Sequence, residues 1–186
     1  LYIIYFLTLG LLSIFAAIKY TVGNNAYGYS GLGDLFVFIF FGLISVLGSN
    51  FLFTSKFNFS LLYPALTIGI LSVGVLNLNN MRDIENDKIV GKKTLSVRLG
   101  LNNSKFYHSL LISTSIISMI LFLIKVDSYS IVFSLLMIIN IFWLLFDLFR
   151  IYKVNEPEKF DHFLKPLVFS TIFYSISLCF GFAYLF

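Results

Sequence analysis

Cysteine is nearly absent from this sequence: Cys179 is the only one, and it lies in an apolar run. A disulfide framework and a CxxC metal site are therefore excluded. Charge is also scarce, at 12% of 186 residues against 59% hydrophobic. Soluble domains stand nearer about a quarter charged, so this composition belongs to a membrane protein. His108 and His162 each lack a second His or Cys at ligand spacing, which argues against a histidine-based metal site. There is no convincing internal repeat, and no polar–apolar alternation of the kind an outer-membrane barrel needs. The first residue, Leu1, opens directly into an apolar stretch without a charged signal-peptide region. The expectation is one membrane-embedded domain, 1–186, whose N-terminal part is missing. The net charge of +4 does not point to nucleic acid, because the basic residues sit between hydrophobic runs.

Long apolar runs dominate the rest. A spanning helix needs about 20 mostly apolar residues. Six segments qualify, at roughly 1–19, 35–53, 60–79, 105–124, 129–148 and 166–186. The predicted fold is an all-α, polytopic helical bundle with six transmembrane helices. Bulky Phe and Tyr side chains, 23 and 11 of them, suit lipid-facing surfaces and interfacial belts. The connections 19–34, 80–105 and 147–165 hold eleven Lys and Arg, and the two between them hold only Lys56 and Lys125. That asymmetry predicts a multi-pass protein of the cell (inner) membrane with its charged loops in the cytoplasm.

One stretch, residues 77–100, "NLNNMRDIENDKIVGKKTLSVRLG", concentrates three of the nine acids and five of the thirteen basic residues. Asn79, Asp83 and Asp87 are spaced i, i+4, i+8. On a helix such steps stay on one face, drifting about 40° and rising about 6 Å each. The three form a ladder at the cytoplasmic end of a span, while Glu85 points away and Arg82 points off the ladder. Carboxylate and carboxamide oxygens suit Mg²⁺, which completes its shell with water and substrate phosphate. Gly91 permits a turn. Lys92, Lys93 and Arg98 then supply partners for phosphate oxygens. The combination suits a diphosphate at a membrane surface.

The full string closely resembles the second aspartate-rich motif of the UbiA-type intramembrane prenyltransferases. That motif is N-x-x-x-D-x-x-x-D followed by Gly-Lys-x-Thr-Leu-x-x-Arg-x-Gly. Here it reads Asn79, Asp83, Asp87, Gly91, Lys92, Thr94, Leu95, Arg98 and Gly100. A second stretch, "YTVGNNAYGYSGLGDLFVFIFFG" at 20–42, is similar to a loop and span of the branch acting on 1,4-dihydroxy-2-naphthoate. The family carries nine spanning helices and two such motifs, of which this chain matches the last six helices and the second motif. The resemblance implies alkylation of the naphthoate ring by a polyprenyl diphosphate with loss of CO₂, giving demethylmenaquinone. It implies Mg²⁺ as cofactor, the lipid bilayer as surroundings and no nucleic-acid partner. Asp83 and Asp87 would be catalytic metal ligands, with Asn79 holding metal or diphosphate. Lys92, Lys93 and Arg98 would face diphosphate. The Gly-rich 20–34 loop would be a lid, with Tyr20, Tyr27 or Tyr29 reaching the substrate. Without its first motif, the fragment alone is expected to be inactive.

Other ring acceptors within the family, 4-hydroxybenzoate or homogentisate, are the nearest alternative. A membrane transporter is the alternative of a different class. It would place ionisable groups mid-membrane along a pathway, whereas these acids collect at one membrane face. Asn140, in mid-span, is expected to make an interhelical hydrogen bond. Ser113, Thr114, Ser115 and Ser118 are expected to pack helices together.

Overall fold

The structure, a computed structural model, describes residues 2–23, 26–125 and 131–183. Among these residues all regular structure is helical. Helix α1 is Tyr2–Thr21. A short 3₁₀ turn, Tyr27–Ser30, leads into α2, the continuous apolar helix Gly33–Thr54. Helix α3 is Leu62–Arg82, and two short helices follow it, α4 at Ile84–Ile89 and α5 at Leu95–Leu99. The remaining long helices are α6 at Leu101–Lys125, α7 at Ile131–Tyr152 and α8 at Asp161–Ala183.

Among the described residues five helices are long and apolar enough to cross a membrane: Gly33–Thr54, Phe59–Arg82, Leu101–Lys125, Ile131–Tyr152 and Pro157–Gly181. The first expected span is present as a shorter apolar helix, Ile4–Tyr20. The last span begins earlier than its apolar run suggests, because α8 starts at Asp161 and takes Pro166 inside it. Phe160, Phe163 and Leu167 are all buried, so these charged turns keep one apolar face on the bundle.

Helix α3 is the centre of the bundle. It packs against α2, α6 and α8, and α7 closes the outside between α6 and α8. The core between them contains Leu71, Leu78, Met81, Ile112, Met119, Phe133 and Tyr174. Helices α2 and α3 cross backbone to backbone. A Cβ on Gly42 would lie 2.7 Å from the Gly69 Cα and 2.7 Å from the Ala65 carbonyl oxygen. Small residues at such a crossing let membrane helices make close dispersion contact. Much of α2, from Phe38 to Gly48, is wound in wider π-helical turns, a feature frequent near functional sites.

Several polar side chains inside the bundle bond across helices. Asn140 donates to the Ser170 carbonyl at 2.8 Å, and the Ser170 hydroxyl donates back to the Asn140 oxygen at 3.1 Å. This is the interhelical bond expected of Asn140. Of the four small polar residues on α6, Ser115 and Ser118 are buried, and the Ser118 hydroxyl donates to the Tyr63 carbonyl at 2.9 Å. Ser113 and Thr114 do not pack helices together. They face outward, and Thr114 bonds back to Leu110 of its own helix.

Candidate active site

The site forms where α3 ends. Asp83 leaves the helical geometry (φ −93°, ψ 9°), and α4 restarts at Ile84. The backbone bonds Asp83 N–H to Asn79 and Asp87 N–H to Asp83 survive the break, at 3.0 and 2.8 Å. Asn79, Asp83 and Asp87 consequently still share one wall, together with Asn80. Glu85 is exposed and pairs with Lys88 at 3.0 Å.

The expectation for Arg82 is corrected. Its side chain curls onto the ladder, because a residue three before it on a helix lies on a neighbouring face. Its Nε and Nη2 donate to the two carboxylate oxygens of Asp83, both at 2.8 Å. Nη2 also donates to the Asn79 side-chain oxygen at 2.7 Å, and Nη1 to Asp161 at the start of α8 at 2.8 Å. These bonds, Arg82 first, hold the Asp83 carboxyl below the usual carboxylate range.

Asp87 is 4% exposed and forms an ion pair with Lys92 at 2.9 Å. That bond raises the Lys92 ammonium above its ordinary pKa, so it stays charged at neutral pH. Lys92 also lies 5.4 Å from the centre of the Tyr29 ring, within cation–π reach.

The lysine-rich loop is shaped by its glycines and caps. Gly91 turns the chain at φ 74°, and the Thr94 hydroxyl caps α5 by accepting from Val97 N–H. Beneath it, Asn77 is almost fully buried. It accepts from Ser96, donates to the Ser104 carbonyl at 3.1 Å and meets the His108 ring at 3.4 Å. This network fastens α5 and the head of α6 to α3.

The glycine-rich segment covers the ladder. Lys93 N–H donates to the Tyr29 carbonyl at 2.9 Å, and the Arg98 guanidinium donates to the Lys93 and Ser30 carbonyls at 3.1 and 2.7 Å. Gly31 sits between them at φ 76°, where a Cβ would lie 2.8 Å from the Lys93 carbonyl oxygen.

Between the two segments lies a cavity of about 230 Å³. Tyr20, Tyr29, Asn79, Asp83, Asp87 and Lys92 line it. Lys93 and Arg98 are not among its lining residues. Lys93 is exposed, and Arg98 is spent on backbone carbonyls. Tyr27 lies in the 3₁₀ turn, with its side chain outside the described residues. Thr94 of the quoted motif also lines the cavity, as do Asp34 and Asn80, which the sequence reading does not name as site residues. Asp34 was the findable one, as an acid standing at the head of an apolar span.

A second, apolar groove of about 680 Å³ adjoins the cavity. Val37, Phe41, Val75, Leu164, Val168 and Ile172 are among its walls, and it shares Leu76 and Asn79 with the polar cavity. Leu76 and Asn79 thus stand between the charged cavity and the apolar groove.

The sequence pattern of the UbiA prenyltransferase family matches residues 2–183. The chain belongs to that family. It is 51% identical over 117 residues to the 1,4-dihydroxy-2-naphthoate octaprenyltransferase of Escherichia coli (strain K12), covering 63% of this chain and 38% of that protein. It is 49% identical over 110 residues to the protein of that name from Haemophilus influenzae, covering 59% and 36%. The UbiA prenyltransferase domain-containing protein 1 of Dictyostelium discoideum is 32% identical over 133 residues, covering 71% and 40%. The matched part is thus about two fifths of each relative's length. No solved structure matches the chain significantly.

The donor set fits a divalent cation of the UbiA kind. Asn79, Asn80, Asp83 and Asp87 bring only hard oxygen ligands to one wall. Among the described residues no group of three or more His, Cys, Asp or Glu side chains converges.

Proposed function

We propose that this chain carries part of the active site of a Mg²⁺-dependent 1,4-dihydroxy-2-naphthoate polyprenyltransferase. The observation that carries the reading is at Leu76 and Asn79, which line both an oxygen- and cation-lined cavity and an apolar groove beside it. A polyprenyl diphosphate has that same division. Its tail would lie along Val37, Phe41 and Val168, and its diphosphate would face Asn79, Asp83, Asp87 and Lys92.

Each residue has a definable task. Asn79, Asp83 and Asp87 would hold Mg²⁺, and Mg²⁺ when bound supplies positive charge against the diphosphate. Arg82 fixes the plane of the Asp83 carboxylate. Lys92 pairs with Asp87 in this state; with a cation held by that carboxylate, its ammonium would be free to donate to a diphosphate oxygen. There it stabilises the charge that grows as the allylic carbon–oxygen bond breaks. Tyr20 and Tyr29 wall the cavity and limit the water that reaches the allylic cation. The naphthoate ring carbon bearing the carboxylate attacks, its bond to CO₂ breaks, and those electrons restore the ring. The immediate product is the quinol form of demethylmenaquinone.

The charged ends are proposed to face the cytoplasm of the cell membrane, from the eleven-to-two division of Lys and Arg. Labelling of cysteines placed at Ser30, Val90 and Pro157, with Cys179 replaced, should occur from that face alone.

The activity is tested with the protein in native membranes, Mg²⁺, 1,4-dihydroxy-2-naphthoate and a long prenyl diphosphate. A prenylated naphthoquinol, CO₂ and diphosphate should appear, EDTA should stop them and Mg²⁺ restore them. Prenylation of 4-hydroxybenzoate or homogentisate instead would keep the family chemistry and refute the acceptor. No prenyl transfer to any ring would refute the reaction itself.

A further inference from the structure

Asp34 has an arrangement unlike that of the other two acids in the cavity. Asp83 and Asp87 are each held by a cation, Arg82 and Lys92. Asp34 makes no salt bridge among the described residues; its partner is a phenol. The Tyr107 hydroxyl, on α6, reaches across to donate to Asp34 Oδ2 at 2.9 Å. The carboxylate stands in the first turn of α2 and is partly buried. The residue before it, Gly33, packs so closely that a Cβ there would lie 3.2 Å from the side chain of Leu76. Leu76 is one of the two residues that line both the polar cavity and the apolar groove. Val37, one turn further along α2, already lines that groove.

A carboxylate without a cation repels a diphosphate, and among the described residues no group of three or more acids or other metal-capable side chains gathers around it. What it can receive is a hydrogen-bond donor, and in this structure it already takes one from a phenolic hydroxyl. On the prenyl-transfer reading, the second substrate is itself a phenol that must approach the allylic carbon where cavity and groove meet. We propose that Asp34, oriented by Tyr107, is the acceptor-ring subsite: it accepts a hydrogen bond from the naphthoate hydroxyl next to the carboxylate-bearing carbon.

The electron balance gives this bond a catalytic consequence. As the ring carbon forms its bond to the allylic carbon, positive charge spreads onto the adjacent hydroxyl oxygen. An anionic acceptor on that O–H stabilises the charge while it lasts. When the bond to CO₂ breaks, its electron pair returns to the ring, the charge vanishes and the proton remains on oxygen. No base is consumed and no oxidant is needed. Asp34 touches the acceptor and is a catalytic residue in this scheme, whereas Tyr107 is a positioning residue.

The test uses the protein in native membranes with separate readouts for the two substrates. Asp34→Asn should lower kcat on the order of 100-fold, the scale of losing one charged partner of a transition state. The KM for prenyl diphosphate and the Mg²⁺ requirement should stay within about twofold. Asp34→Glu should recover part of the rate, and Tyr107→Phe should lose about tenfold. The unsubstituted protein supplies a check that needs no variant. Given a naphthoate methylated on the hydroxyl beside its carboxylate, it should be slowed as much as Asp34→Asn is with the normal ring. Asp34→Asn should show no further loss on that analogue. The proposal is overturned if Asp34→Asn leaves kcat unchanged, or raises the diphosphate KM and Mg²⁺ requirement together, or if the methylated ring reacts at the normal rate. Each of these presupposes an active unsubstituted protein. Failure of that protein to prenylate any ring would instead sink the underlying reaction, and this subsite with it.

Discussion

Arg82 grips both carboxylate oxygens of Asp83 at 2.8 Å, while the same guanidinium holds the side chain of Asn79. Two candidate ligands are thus oriented by one planar fork, and only arginine has that shape. Each carboxylate oxygen keeps further acceptor capacity for an ion. Arg82→Lys keeps the charge but loses the fork. Charge-assisted hydrogen bonds contribute about 1.5–3 kcal/mol each, so the variant should lose about tenfold in turnover and need more Mg²⁺ for half-maximal rate. Asp161→Asn leaves the bonds to Asp83 and Asn79 in place and should cost less than about threefold, as exposed ion pairs do. Mg²⁺ titrations of both variants check the contrast, and equal behaviour would refute a positioning role.

The acids separate by face. Asp83→Ala or Asp87→Ala should remove most turnover, on the order of 100-fold or more, because each exposes diphosphate charge in the transition state. Glu85→Ala should change it less than about threefold, because Glu85 lies in solvent beside Lys88. Steady-state assays on the three variants settle the matter. Similar losses at all three would mean that the cavity wall is wrongly assigned.

The Gly42–Gly69 crossing sets how closely α2 approaches α3, the two helices that bring Asp34 and Asn79 to the cavity. A Cβ at Gly42 would meet backbone at 2.7 Å, with no flexible side chain to yield. Gly42→Ala should therefore push the helices apart, at a cost of about 1–3 kcal/mol for overpacking. Thermal unfolding in detergent should fall by several degrees, and prenyl transfer should fall with it. Gly48→Ala, whose Cβ would meet only Ile44 at 3.8 Å, is the neutral control.

The bundle was legible because each apolar run is long, and span length alone identifies a membrane helix. The run ending at 186 misled at its start, since α8 uses the charged turns from Asp161 with one apolar face inward. The Asn79–Asp83–Asp87 wall was legible from its spacing. Arg82 was not, because spacing fixes where Cβ points and not where a long side chain folds back. Asp34 is legible as an acid at the head of an apolar span, but its setting is not: its partner Tyr107 lies 73 residues away, a distance that no local pattern spans. Lys92, Lys93 and Arg98 look equivalent as a charge run, and only the fold separates the residue that lines the cavity from those beside it.

Arg98 holds the glycine-rich segment to the lysine loop through the Ser30 and Lys93 carbonyls, and Lys93 N–H completes the join at Tyr29. Arg98→Ala should loosen the two segments without removing a charge from the cavity. The amide of Lys93 should then exchange with solvent faster, since local opening needs fewer bonds broken. Prenyl diphosphate should bind several-fold more weakly while kcat falls less, because the cover and not the chemistry has changed. Lys92→Ala should show the opposite pattern: a larger loss in kcat and little change in exchange at Lys93, since Lys92 faces the cavity with its ammonium at Asp87. Hydrogen exchange and kinetics on the two variants distinguish a clamp from a phosphate ligand. A kcat loss at Arg98 equal to that at Lys92, with exchange unaltered, would return Arg98 to the cavity.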